Sequence, residues 1–211
     1  MTEAPWTNPS RALVVAFDGL IADTHAARTL AVVDALAAEG TPTDAVYVAS
    51  LVLGRSLDET VEAVLHAKAA TSGTSIDHTT RDLTVLRARR AYSAIAAHGL
   101  PLQPGASEWI AALAARDTRV VLRADSARVD VELLLRLSGL GDTVAFTRCA
   151  DDLPYIRGES SVRSAWQAIA ARCTALGLDL RACRALEVSA EGVAAAQAHV
   201  ADVRLTLSLT E

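Results

Sequence analysis

The sequence predicts an α/β fold, a parallel sheet with an all-helical insert after its first strand. Three observations carry this. The apolar run Leu13, Val14, Val15, Ala16, Phe17 ends on Asp18-Gly19. It fits a strand buried on both faces of a parallel sheet, turned sharply by a glycine at its C-terminal end. Residues 26–98 carry mostly helical spacing and read as an insert with no strand of its own. After residue 100, short apolar runs alternate with helical stretches, the order that builds a Rossmann-like parallel sheet.

In chain order, Pro5 and Pro9 disfavour regular structure before the first strand. Leu30, Val33 and Leu36 set a helix over 26–39, and Gly40 stops it. Asp23-Thr24 suits the N-cap of that helix. The apolar stretch 46–53 is ambiguous between strand and helix by pattern alone. Gly54-Arg55-Ser56 breaks the chain, and Ser56 or Asp58 caps a helix over 60–70. Residues 71–75 read as a polar loop, and 76–97 as a long helix ended by Gly99 and Pro101. Pro104-Gly105 opens a helix over 106–115. Strands follow at 119–122, 144–147, 185–188 and 203–207, with helices at 129–138, 160–176 and 192–199 between them.

At 211 residues the chain suits one sizeable domain or a core with an inserted subdomain. Hydrophobic residues make up 51% and aromatic ones only 4%, so the core must be built mainly from Ala, Leu and Val. Net charge is -5, with both signs interspersed and no basic stripe, which argues against nucleic acid. No apolar run reaches the length of a membrane-spanning helix, and MTEAPWTNPS lacks the features of a secretory signal. Cys149, Cys173 and Cys183 have no metal-site spacing and read as buried thiols of a reducing cytoplasm.

Four segments resemble the haloacid dehalogenase-like superfamily of phosphatases and phosphomutases. Asp18-Gly19 with Asp23-Thr24 matches the second Asp, the Gly and the closing pair of motif I. Gly54-Arg55-Ser56-Leu57 is similar to the substrate-contacting cap segment of the β-phosphoglucomutase-like branch. Gln103-Pro104-Gly105 looks like the return from cap to core. Glu187-x-Ser189-x-x-Gly192 with Ala195-Ala196 resembles the late acidic motif. The resemblance implies a core of residues 11–25 and 99–211 with a helical cap of 26–98. It also implies a Mg²⁺-dependent site. There an Asp nucleophile attacks phosphorus and a second Asp serves as acid and base, while a Ser/Thr and a Lys hold the phosphoryl oxygens.

Against that pattern, the nucleophile position is Ala16, whose methyl can neither attack nor bind metal. The Ser/Thr position falls on Ala124, and a register shift brings Ser126 closer. Arg157 matches the Lys position, with a planar fork in place of a point charge. Glu187 keeps one late carboxylate, and Val188 replaces the other. Asp18 alone survives intact, either as a retained acid or as a cap on the turn after the strand. Gly19, Arg55 and Ser126 are the substrate-binding candidates, and Glu187 the one metal candidate. Arg157 either binds an anion or pairs with Asp151, Asp152 or Glu187. The arginines at 81, 87, 89 and 90 read as a solvated helix face, and His25 as a hinge residue. The expected function is binding or assembly on a catalytically degenerate fold, with a small anionic or phosphorylated ligand or a protein partner and no cofactor. The alternative is a phosphatase or phosphomutase-like hydrolase with an altered site, which would use Mg²⁺.

Overall fold

The structure is a computed structural model and describes residues 12–73, 75, 77–154, 156 and 159–209. Its centre is a five-stranded parallel sheet in the order β3-β2-β1-β4-β5. The strands are β1 (Ala12–Ala16), β2 (Arg119–Arg123), β3 (Val144–Arg148), β4 (Arg184–Glu187) and β5 (Asp202–Leu205). β1 is buried along its whole length, as a central strand with both faces covered must be. One turn, α1 (Phe17–Leu20), follows it and is broken at Asp18 and Gly19. Gly19 has φ +92°, where only glycine turns without strain.

Four consecutive helices then follow: α2 (His25–Ala38), α3 (Ala45–Val52), α4 (Leu57–Ser72) and α5 (His78–Ala97). They close over their own buried cluster, in which Val32, Leu36, Val48, Val61, Leu65 and Tyr92 meet. The ambiguous apolar stretch is thus a helix, α3, capped by the Asp44 side chain. Ser56 starts α4 through a capping box with Glu59. α4 continues to Ser72, through part of the expected loop, because Gly73 supplies the left-handed stop. α5 begins at His78, capped by Asp77. Asp23 is exposed and α2 has no side-chain cap, so the expected cap at Asp23-Thr24 is not formed. The arginines of α5 are more than a solvated face: Arg87 pairs with Glu39, and Arg89 forks onto Asp58 at 2.9 and 2.6 Å.

The remaining helices are α6 (Ala106–Ala114), α7 (Arg128–Leu137), α8 (Ser161–Ala175) and α9 (Ala190–Gln197). Ile110 and Leu113 of α6 and Leu134 of α7 pack on one face of the sheet with Leu13, Val15 and Leu122. Trp166 and Ile169 of α8 pack on the other with Val14, Val121 and Ala185. Side chains alternate across a strand, so Ala12 and Val14 share the α8 face, and Ala16 at the strand's end touches the cluster of α6 and α7. The three cysteines are buried and free. Burial pushes the Cys149 thiol up to about 12, which keeps it unreactive at neutral pH. Among the described residues, no helix is long and apolar enough to cross a membrane.

Candidate functional site

The sheet register aligns three residues in a row at the C-terminal edge. Ala16 pairs with Arg123 on β2. Extending the Val15–Leu186 pairing by one residue sets Glu187 on its other side. Paired residues of a parallel sheet point to the same face, so the row is an arginine, a methyl and a glutamate. Arg123 reaches across the methyl. Its Nε and Nη2 donate to Glu187 Oε1 and Oε2 at 2.7 and 2.9 Å. Its Nη1 donates to Asp125 Oδ1. Trp166 Nε1 also donates to Glu187 Oε1, at 2.9 Å. Arg123 is 1% exposed and Glu187 0%. A charge this deep is stable only when paired, and here it is paired bidentately.

Asp18 sits beside this group. Its Oδ2 accepts the backbone N–H of Asp125 at 2.6 Å and that of Ser126 at 3.1 Å. Its Oδ1 accepts the Ser126 hydroxyl at 2.5 Å. Ser126 Oγ is in turn 3.0 Å from the Tyr92 hydroxyl of α5. Arg28 of α2 lies 3.9 Å from Asp18 and donates to the Arg55 carbonyl. Asp18 therefore braces the loop after β2 and does not cap its own turn. Burial and the Asp18 charge push the Tyr92 phenol far up, so it stays protonated.

Of the residues singled out from sequence, the structure thus gathers Ala16, Asp18, Ser126 and Glu187. Ala124 continues β2, its N–H donating to the Arg148 carbonyl at 2.7 Å. Gly19 lies against Val188, whose Cγ1 is 3.4 Å from where a glycine Cβ would stand. Arg55 turns back, donating to the Leu51 carbonyl at 3.1 Å. His25 bonds the Ala49 carbonyl at 2.9 Å, which ties α2 to α3. Arg157 lies outside the described residues. Glu187 was expected to pair with Arg157, and its partner is Arg123. The residues missed in sequence are Arg123, Arg28, Tyr92, Trp166 and Asp125. The local signal for Arg123 is two-sided: an arginine directly after the apolar run Val120-Val121-Leu122 is either the first solvated residue or a buried charge that needs a partner.

The space around this row is filled. Beside it lies a cavity of about 320 Å³, between α4 and α5 on one side and the loops after β2 and β3 on the other. Asp125 and Ala124 form part of its wall, and so does Asp130 of α7. Asp130 is 4% exposed, and its Oδ2 accepts from Ser93 Oγ at 3.1 Å. Burial pushes the Asp130 carboxyl up, with Asp151 and Asp18 adding to it. Burial likewise pushes the Asp125 carboxyl up, against the lowering by Arg123. A carboxyl raised in the folded state favours the protonated form there. Its contribution is full below the ordinary carboxylate range and is lost as pH rises through the folded value. Asp130→Asn is therefore expected to raise the melting temperature at neutral pH and to leave it unchanged in acid. A neutral-pH melting temperature below wild type would count against this burial argument.

A parallel sheet in this order with a helical insert after its first strand defines the class. The chain has the haloacid dehalogenase-like fold, of the β-phosphoglucomutase type. It is similar to a protein described as a predicted phosphoglycolate phosphatase from Haemophilus somnus, with TM-score 0.75 and 14% identity over 92% of this chain and 84% of that one. It is similar to β-phosphoglucomutase from Clostridium difficile, with TM-score 0.70 and 16% identity over 90% and 81%. A HAD hydrolase, YfnB from Bacillus subtilis, solved bound to magnesium, matches with TM-score 0.61 and 16% identity over 90% and 85%. No protein-family model matches the sequence. No curated protein matches it.

Proposed function

We propose that this chain uses the haloacid dehalogenase-like fold for binding and does not carry out metal-dependent phosphoryl transfer. In this reading residues 26–98 form a cap over a core of residues 11–25 and 99–211, and a small molecule is held between them. One observation carries the reading: the Arg123 guanidinium spans from Asp125 to Glu187 over the Ala16 methyl. Where an attacking carboxylate would stand there is no oxygen.

The same observation tests the fit of Mg²⁺. The ion asks for several oxygen donors in near-octahedral array. Ala16 and Val188 offer none, and both Glu187 oxygens already accept from Arg123. A second cation placed there would face the guanidinium in a low-dielectric site. Among the described residues, no group of three or more His, Cys, Asp or Glu side chains is arranged to hold a metal ion. The residues present do not fit Mg²⁺.

The alternative, a phosphatase or phosphomutase-like hydrolase, rests on Asp18, on Arg157 and on the names of the structural neighbours. A direct assay separates the two. Purified protein with Mg²⁺ and a panel of sugar phosphates and phosphoglycolate is expected to release no phosphate above buffer. Calorimetry is expected to register no heat of Mg²⁺ binding. Phosphate release that disappears in Asp18→Asn would overturn the proposal.

A further inference from the structure

The cavity beside the filled row plays no part in the contacts that fill it. Its volume suits a small organic molecule. Leu57, Ala124, Ala127 and Ala165 give it an apolar sleeve. Asp130 lies on its wall, nine-tenths and more buried, and among the described residues no cation pairs with it. The arginines at the same wall are committed elsewhere, Arg89 to Asp58 and Arg148 to Asp152 at 2.8 Å. The Arg148 Nε, though without a partner, is shut away from the space. Behind Asp125, the carboxyls of Asp18, Asp125 and Glu187 face, among the described residues, the two guanidiniums of Arg28 and Arg123. That leaves one negative charge unbalanced when all are ionised.

Resting on the reading that the fold serves binding, we propose that this cavity is a site for a small organic cation. The ligand is a primary ammonium or guanidinium group on an apolar body. Its charged end meets Asp130, and its body fills the sleeve. Such a group supplies what the buried carboxyl lacks, a charged donor in a low-dielectric setting. A phosphate there would meet Asp125, Asp130 and Asp151, and among the described residues no guanidinium at that wall is uncommitted. The names of the structural neighbours point to phosphorylated molecules, and the wall charges here favour the opposite sign.

The test is calorimetric and amide-NMR titration of the full chain with four probes: benzylammonium, benzyl alcohol, benzoate and inorganic phosphate. Benzylammonium is expected to bind and to shift amides near Ala127, Asp130 and Ala165. Benzyl alcohol and benzoate should bind about 10-fold or more weakly, and phosphate not at all. Asp130→Asn removes the charge and keeps the Ser93 contact, and should weaken benzylammonium by about 30-fold or more. Ala165→Leu fills the sleeve without touching a charge and should abolish binding. Four results would each overturn the proposal: no benzylammonium binding at millimolar concentration, equal affinity for benzyl alcohol, tighter binding of benzoate or phosphate, or unchanged affinity in Asp130→Asn. None of these touches the reading above, which is overturned by phosphate release that disappears in Asp18→Asn.

Discussion

Arg123→Met is expected to destabilise the protein by about 3–5 kcal/mol at neutral pH, the cost of removing one partner from a buried ion cluster. Methionine fills most of the space of the arginine stem but supplies no donors. Among the described residues Glu187 would keep only the Trp166 indole N–H, and Asp125 would lose its guanidinium partner, with only the Arg28 charge left nearby. The two carboxyls would then favour their protonated forms in the folded state, so stability should fall as pH rises from acid to neutral. The loss should accordingly be smaller near about pH 4 than at neutral pH. Adding Glu187→Gln and Asp125→Asn to Arg123→Met removes both stranded charges and should recover most of the loss. Urea denaturation of the three proteins at two pH values measures this. A single-variant loss below about 1 kcal/mol would mean the cluster holds little.

The same cluster marks the limit of what the sequence displays. Strand and helix positions were legible because apolar period and turn residues are local. The run Leu13 to Phe17, the Gly40 and Gly99 stops and the Pro104-Gly105 start each act within a few residues. Arg123 was not legible as a site residue because its partner, Glu187, lies 64 residues away. At the end of an apolar run, an arginine looks like the first solvated residue. Only the parallel register, which sets it beside Ala16, turns it inward. Ala16 was legible as a missing oxygen, and the sequence left open what fills its place. The Asp23-Thr24 cap failed for a related reason. The N–H of Asp23 donates to the Pro101 carbonyl at 2.9 Å, so the segment is held by a bridge to the returning chain. Long-range pairing overrode a local preference at both places.

Asp18 is the residue whose role most separates the two functional readings, and two substitutions divide them. As a brace, Asp18 satisfies the N–H groups of Asp125 and Ser126 and stands beside the Arg28 guanidinium, all buried. Asp18→Ala leaves two buried donors without acceptors, at about 1–3 kcal/mol each, and takes the nearest carboxylate from Arg28. The expected loss is about 4 kcal/mol, with faster amide hydrogen exchange at Asp125 and Ser126. Asp18→Asn keeps one oxygen for both backbone N–H groups. Its amide can donate to Ser126 Oγ, which can then donate to the Tyr92 hydroxyl. That rearrangement keeps both backbone N–H groups satisfied but leaves the Tyr92 O–H without its acceptor, so Asn should cost about 2 kcal/mol, clearly less than Ala. A catalytic acid behaves in the reverse way, tolerating Ala and Asn alike in stability while losing turnover in both. An alanine variant as stable as wild type would remove Asp18 from the bracing role. The loop carrying Asp125 would then need another explanation for its place beside β1.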